Sequence, residues 1–312
     1  MSEREWIVPA ADVGVRLDKF LAAPDRLVSR SRALAAVAHG KVFLNGVEAV
    51  PADAARKLVG GDALRFWVDR PGTSRRQAVR ASREGELKIV YEDDALVVVN
   101  KPPGILAVPL PEKNGLGSVQ DALVRYFRSK GKRRPLAVHR IDRDTSGLVV
   151  FAKHAEAQRG LQDQFRRRQP TRVYLAVVYG EPSPLAGTWI DTLVWDERAV
   201  IQKRTHPRDP KGKEAVSEYK TVETFGRASL IEVRLVTGRR NQIRLQARLH
   251  GHTLVGEERY VYGPDAIRPI EFSRHALHAF QLGFVHPQTD QPLQFEATIP
   301  EDLLELLAEL RS

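Results

Sequence analysis

The chain has 312 residues, enough to bury a sizeable core and to divide into two folded units. Its 49 Lys and Arg against 39 Asp and Glu leave a formal charge of +10, which favours a polyanionic partner, nucleic acid first and anionic membrane second. Cysteine is absent, which removes disulfides, thiolate nucleophiles and cysteine-ligated metals; no run approaches the ~20 apolar residues of a membrane span and Met1 to Asp12 lacks a signal-peptide core, so a soluble cytoplasmic protein is expected.

In chain order, Arg16 to Leu21 reads as an amphipathic helix, and Ser29 to His39 as a second one, with Ala33, Leu34 and Val37 at helical spacing and Gly40 as its stop. Lys41 to Leu44 and Val47 to Val50 flank Asn45-Gly46, a dipeptide suited to a two-residue hairpin turn, and Gly60-Gly61-Asp62 turns into a strand over Ala63 to Val68. Residues 71–86 are basic, polar and without apolar periodicity, as a linker would be. Beyond it, Leu87 to Asn100 forms two short strands about Glu92-Asp93-Asp94, followed by a Pro- and Gly-rich loop from Lys101 to Pro111. Val- and Leu-rich runs at Gly147 to Lys153, Arg172 to Gly180 and Ser229 to Val236 have the composition of strands covered on both faces. Helices are expected over Ala155 to Arg168 and Asn241 to His250. The tail from Pro300 forms an acid-led amphipathic helix with Leu303, Leu306, Leu307 and Leu310 on one face, assigned to packing rather than chemistry.

Two sets of motifs carry resemblances. The Arg16 to Leu21 helix, the Ser29-Arg30-Ser31-Arg32 helix start, the Gly40 to Gly46 hairpin and Gly61-Asp62 resemble, in order, an S-four-like RNA-binding domain, with boundaries of 12–70. That resemblance implies phosphate contacts from Arg30, Arg32 and Lys41; the alternative is a solvated basic face. In the remainder, residues 87–312, the segment His139-Arg140-Ile141-Asp142-Arg143-Asp144-Thr145-Ser146-Gly147 resembles the active-site segment of RluA-type RNA pseudouridine synthases. Tyr91-Glu92-Asp93, Asn100 to Gly104, Arg172 to Val178, Thr237 to Arg244, and His278-Ala279 with His286-Pro287 resemble further segments of that family in family order.

The resemblance implies an α+β fold: a catalytic core on a largely antiparallel bent sheet flanked by helices, with a small N-terminal α/β domain. It implies isomerisation of uridine to pseudouridine in structured RNA, ribosomal RNA first and transfer RNA second, by a monomer. Such a reaction detaches uracil from its ribose, turns it and rejoins it through a ring carbon. It oxidises nothing and transfers no group, so neither cofactor nor metal is expected. An ionised carboxylate at the glycosidic bond is required, as nucleophile or as base toward the sugar. Burial alone would neutralise a carboxylate, so a fixed cation must lie beside it.

By resemblance Asp142 is that carboxylate, Arg244 its cation, and Tyr174 the ring that stacks on the uracil and exchanges a proton with it. Arg140 fills the gap left by the extruded base, Ile243 walls the pocket, and Thr145 belongs to the substrate-binding set, shaping with Ser146 and Gly147 the loop that presents Asp142. Outside these motifs, an Asp between two Arg residues is ordinarily a surface ion pair, and a Tyr in an apolar strand is ordinarily core. Asn241, Gln246 and Glu257 stand where the family usually has His, His and Asp. They are expected to alter helix packing or RNA fit more than the reaction. His250, His252, His275 and His278 have spacings that suggest metal ligands but lack cysteine or paired-glutamate partners, so structural roles are expected. Two rivals to an enzyme of this type are a non-catalytic RNA-binding protein on the same fold and a metal-dependent hydrolase of RNA.

Overall fold

The structure, a computed structural model, describes residues 3–38, 40–68, 87–109, 117–128, 134–261 and 270–312. The linker expected at residues 71–86, His39 of the second helix, and Leu110 and Pro111 of the loop lie outside them. The chain divides into two units: the first comprises residues 3–68 with 195–203 and 258–261, the second 87–194, 204–257 and 270–312, counted over described residues.

In the first unit, β1 (Glu3–Ile7), a strand that the sequence patterning did not suggest, precedes α1 (Leu17–Leu21), α2 (Arg30–Ala38), β2 (Val42–Leu44), β3 (Val47–Glu48) and β4 (Ala63–Trp67). The strands pair antiparallel in the order β1-β4-β2-β3. Asn45 and Gly46 both adopt positive φ, 50° and 78°, as a tight hairpin between right-twisted strands requires. Leu17, Phe20 and Leu21 of α1 join Ala33, Ala36 and Val37 of α2 over Val42, Leu44 and Leu64. Leu34 does not join this core: it is 42% exposed, because α2 turns the small residues Ala33 and Ala36 inward.

The second unit contains β5 (Lys88–Glu92), β6 (Leu96–Lys101), α3 (Val119–Arg128), β7 (Leu136–Ala137), β8 (Ser146–Ala152), α4 (Ala155–Arg166), β9 (Thr171–Tyr179) and β10 (Ala186–Asp196). After β11 (Ile201–Arg204), most of which belongs to the first unit, come β12 (Lys213–Thr224), β13 (Ala228–Leu235), α5 (Gln242–Leu249), β14 (Leu277–Val285), β15 (Pro292–Glu296) and α6 (Glu301–Arg311). From β10 the sheet runs β10-β12-β13-β9-β14-β8-β6-β5, with β15 on β14 and β7 on β8. These named strand pairs are antiparallel except β14 with β8, so the architecture is α+β on a mostly antiparallel sheet.

β8 is the central strand of the site. All seven of its residues are buried, between β14 on one side and β6 on the other, which is why its sequence is nearly continuously apolar. Where β8 meets β14, a side chain has no room: a Cβ on Gly147, whose φ is 112°, would lie 2.2 Å from the Ala279 carbonyl oxygen. Strand register then aligns four residues across the sheet, Lys101 opposite Gly147, Gly147 opposite Ala279, and Ala279 opposite Tyr174. The loop that precedes β8 is thereby brought to the same row as Tyr174.

Candidate active site

The loop from His139 to Thr145 is fixed from below by groups distant in sequence. His139 accepts the Val150 N–H through Nε2 (3.1 Å) and stacks on Phe165 of α4, with centroids 4.6 Å apart. Burial draws its pKa down to about 3, so it is neutral and structural at physiological pH. Lys101 is fully buried, and its Nζ donates to the carbonyls of Pro102, Ile105 and Arg143 at 2.9, 3.0 and 2.7 Å. Burial pulls the Lys101 pKa down to about 7, against the attraction of Asp144 and Asp142. Arg274 holds the next carbonyl, that of Asp144, at 3.1 Å through Nη1, while its Nε and Nη2 donate to both carboxylate oxygens of Asp302 at the start of α6. Hence α6 is not packing alone: Leu303, Leu306 and Leu307 are buried, and Asp302 reaches the loop through Arg274.

Within that loop the side chains separate by direction. Ile141 is buried, in one apolar cluster with Tyr174 and Ile243. Arg140 is exposed, and no described residue pairs with its side chain. Thr145, expected among the substrate contacts, is instead buried, its hydroxyl 2.8 Å from His275 Nε2; Ser146 is likewise joined to His278 Nδ1 at 2.9 Å. Both hydroxyls serve the loop and strand rather than an open cleft.

Asp142 is partly open, its side chain 29% exposed. Arg244 Nη1 lies 3.3 Å from Asp142 Oδ2, and Asn241 Nδ2 donates to the same oxygen at 2.9 Å. The donors come from the first turn of α5 and from the residue just before it. The loop that leads into this helix is locked by Gln242, whose side chain accepts from Thr237 Oγ1 and the Arg239 N–H and donates to the Val216 carbonyl and Ser217 Oγ. Behind Arg244 stands Glu257, its carboxylate fully buried, accepting from Nε and Nη2 at 2.6 Å each. That bidentate pair orients the guanidinium, so the remaining Nη1 points at Asp142. Tyr174 is buried, and burial pushes its hydroxyl pKa up to about 12, with Arg172 opposing and Asp142 adding to the rise. The phenol is therefore protonated throughout the neutral range.

Sequence reasoning brought Asp142, Tyr174, Arg244, Ile243 and Arg140 to one neighbourhood of the second unit, and the structure places them around one loop. It did not foresee Asn241 on the carboxylate, Glu257 behind Arg244, or Lys101 beneath the loop. In the sequence, Glu257 and Asn241 stand out only as departures from a motif. The four histidines singled out for their spacing are each engaged: His250 with Asp191, His252 with the Tyr179 carbonyl, His275 with Thr145 and His278 with Ser146. In the first unit, Arg30 and Arg16 both pair with the buried carboxylate of Asp18 at 2.9 Å, Arg32 is exposed at the start of α2, and Lys41 is half-buried just before β2. Among the described residues, no helix is long and apolar enough to cross a membrane.

Residues 95–249 match the family described as RNA pseudouridylate synthase. An uncharacterized RNA pseudouridine synthase of Bacillus subtilis is 38% identical over 95% of this chain and 94% of its own length. Proteins named ribosomal large subunit pseudouridine synthase D are similar too: that of Zymomonas mobilis is 37% identical over 93% of this chain and 92% of its own, and that of Xylella fastidiosa 35% identical over 99% and 92%. Among solved structures, human RNA pseudouridylate synthase domain containing 4 shares the fold, with a TM-score of 0.60 at 22% identity over 72% of this chain and 93% of that one. Full-length similarity of this degree, on a sheet of the same fold, establishes that the chain belongs to the RNA pseudouridine synthase family.

Proposed function

We propose that this enzyme converts uridines of large-subunit ribosomal RNA to pseudouridine, with Asp142 acting at the glycosidic bond. The observation that carries the assignment is the half-open Asp142 carboxylate, met by a guanidinium that a second, buried carboxylate holds in place. In the overall change the bond from the ribose anomeric carbon to N1 breaks, a bond to C5 forms, the C5 proton leaves and N1 gains one. Asp142 either attacks the anomeric carbon or takes a proton from the sugar; Arg244 stabilises its charge in both cases. Tyr174, protonated and buried beside Ile243, offers a ring face to the uracil. Such stacking contributes about 1–3 kcal/mol without reading base identity. Arg140, exposed and unengaged by described residues, fills the gap in the RNA and offsets part of the few kcal/mol that base extrusion costs.

Mapping pseudouridine in the RNA of cells with the gene, without it, and with Asp142→Asn tests this reading. Loss of the same large-subunit sites in the last two is expected. Sites that survive Asp142→Asn would refute the role of Asp142, and losses confined to transfer RNA would refute the target. The target rests on the names of the relatives above, which this chain matches nearly end to end.

The first unit serves as an S-four-like RNA-binding domain in this reading. Arg30 is tied to Asp18, and Lys41 has contacts of its own, which leaves Arg32 the cleanest probe of the three. Replacing one phosphate-contacting cation lowers the slope of log affinity against log salt by about 0.9 on duplex or 0.7 on single-stranded RNA. Arg32→Ala with an unchanged slope would count against a role in RNA binding.

A further inference from the structure

Asp142 receives its hydrogen bonds asymmetrically. Asn241 Nδ2 and Arg244 Nη1 both reach Oδ2, at 2.9 and 3.3 Å, and no described residue donates to Oδ1. A carboxylate oxygen has two lone pairs, so two donors saturate Oδ2 and leave Oδ1 with both of its own. Whichever step the carboxylate performs, attack on carbon or removal of a proton, it needs an oxygen with a free pair.

Asn241 is built for this contact. It occupies the position before the first residue of α5 with φ 54° and ψ 26°, a left-handed conformation that asparagine tolerates better than most residues. Its side chain is nearly buried and makes none of the capping bonds to its own helix usual at that position. The amide is spent instead on a residue 99 positions away. Because an amide does not titrate, this donor is present at every pH at which the protein folds.

We propose that Asn241 is a positioning residue of this enzyme, which together with Arg244 occupies Oδ2 of Asp142 and so assigns the reaction to Oδ1. The inference rests on Asp142 being the reacting carboxylate. Because Asn241 touches that carboxylate, its loss acts on turnover, with RNA binding little changed.

The test is steady-state kinetics of the full-length protein on a uridine-containing RNA substrate, for Asp142→Asn, Asn241→Gly, Asn241→Asp and Asn241→His, from pH 5.5 to 9. Melting temperatures verify that each variant folds. Glycine keeps the left-handed backbone and removes the donor, and kcat is expected to fall at least tenfold with KM within twofold. Aspartate is nearly isosteric but sets a second carboxylate against the first, so the two share a proton. The acidic limb of the kcat profile is expected to move up by at least one pH unit. Histidine, whose Nδ1 sits where the amide nitrogen sits, is expected to run at least fivefold faster than glycine. If Asp142→Asn is inactive while the glycine and aspartate variants stay within twofold of the parent at every pH, Asn241 does not position Asp142 for the reaction. If Asp142→Asn is active, the assignment of Asp142 itself fails and takes this inference with it.

Discussion

Replacing Glu257 with glutamine removes one charge from the most enclosed ion pair of the site while preserving its shape. The Glu257 side chain is fully buried and that of Arg244 is 11% exposed, with two hydrogen bonds of 2.6 Å between them. At an effective dielectric constant of about 20, opposite charges about 4 Å apart attract by roughly 4 kcal/mol, and removing one partner of a buried pair typically costs about 3–5 kcal/mol because the other charge is left uncompensated. For a unit of this size that corresponds to a fall in Tm of roughly 6–20 °C. Activity should fall further than stability requires, since an amide offers one acceptor where the carboxylate offers two, and the freed guanidinium swings from Oδ2 of Asp142 or closes on it entirely. The assay is thermal unfolding followed calorimetrically, paired with kcat measured well below the new Tm. A variant that melts within 2 °C of the parent and keeps its kcat would show that Arg244 is oriented by something other than Glu257.

Three more perturbations read other parts of the site. Gly147→Ala forces a Cβ to 2.2 Å from the Ala279 carbonyl at φ 112°, so β8 and β14 must separate; a loss on the order of 3 kcal/mol is expected in chemical denaturation, and an unchanged midpoint would contradict the close approach. His278 and His139 titrate at about 4 and 3 in the fold, both depressed chiefly by burial from an ordinary value near 6.5. The unfolded chain therefore binds more protons below pH 6.5, and the stability present above that pH declines by about 2–3 kcal/mol per histidine on reaching pH 4.5, a window above most carboxylate titration; a flat stability between pH 7.5 and 4.5 would refute their burial as neutral rings. Asp302→Asn weakens the grip of Arg274 on the Asp144 carbonyl, and kcat is expected to drop several-fold with RNA affinity unchanged; equal turnover would mean that α6 does no more than pack.

How far the sequence reached follows from what each feature depends on. That Asp142 and Arg244 meet, with Tyr174 in the same apolar cluster as Ile141 and Ile243, was legible because these residues sit in short contiguous segments whose order along the chain is itself informative, and the Asn45-Gly46 turn because its backbone angles are a local property. Contacts decided by distant register were not. Lysine is so rarely buried that the segment Asn100 to Gly104, though family-like in sequence, does not reveal that Lys101 is enclosed, and its bond to the Arg143 carbonyl exists only once β6 and the loop before β8 meet. The strand β10 is illegible for a different reason: beside the buried Trp189 and Leu193 its pattern is broken, with Ile190 64% exposed and Asp191 5%, where Gln246 and His250 both meet Asp191 Oδ2. Gln246, noted as a departure within a motif, is a buried amide joining β10 and β12 to α5, and only the packed sheet shows what its polarity is for.

The proposed chemistry demands that the Asp142 carboxylate keep its place while an RNA base is pulled out and turned beside it. A short loop cannot resist that load through its own backbone, and here it does not have to. The carbonyls of Arg143 and Asp144 are each held by a buried basic side chain, Lys101 from β6 and Arg274 from the segment before β14, while Gly104 donates its N–H to the first of them at 3.0 Å. From above, Asn241 and Arg244 hold the side chain. Each donor is itself tied down elsewhere, Lys101 to the carbonyls of Pro102 and Ile105 and Arg274 to the carboxylate of Asp302, so a loop that moved away would leave a buried donor one hydrogen bond short with no water at hand to replace it. The backbone that carries Asp142 is thus fixed by two buried basic side chains, on β6 and before β14, that are neither in its loop nor in contact with its carboxylate, while its side chain is held separately by Asn241 and Arg244.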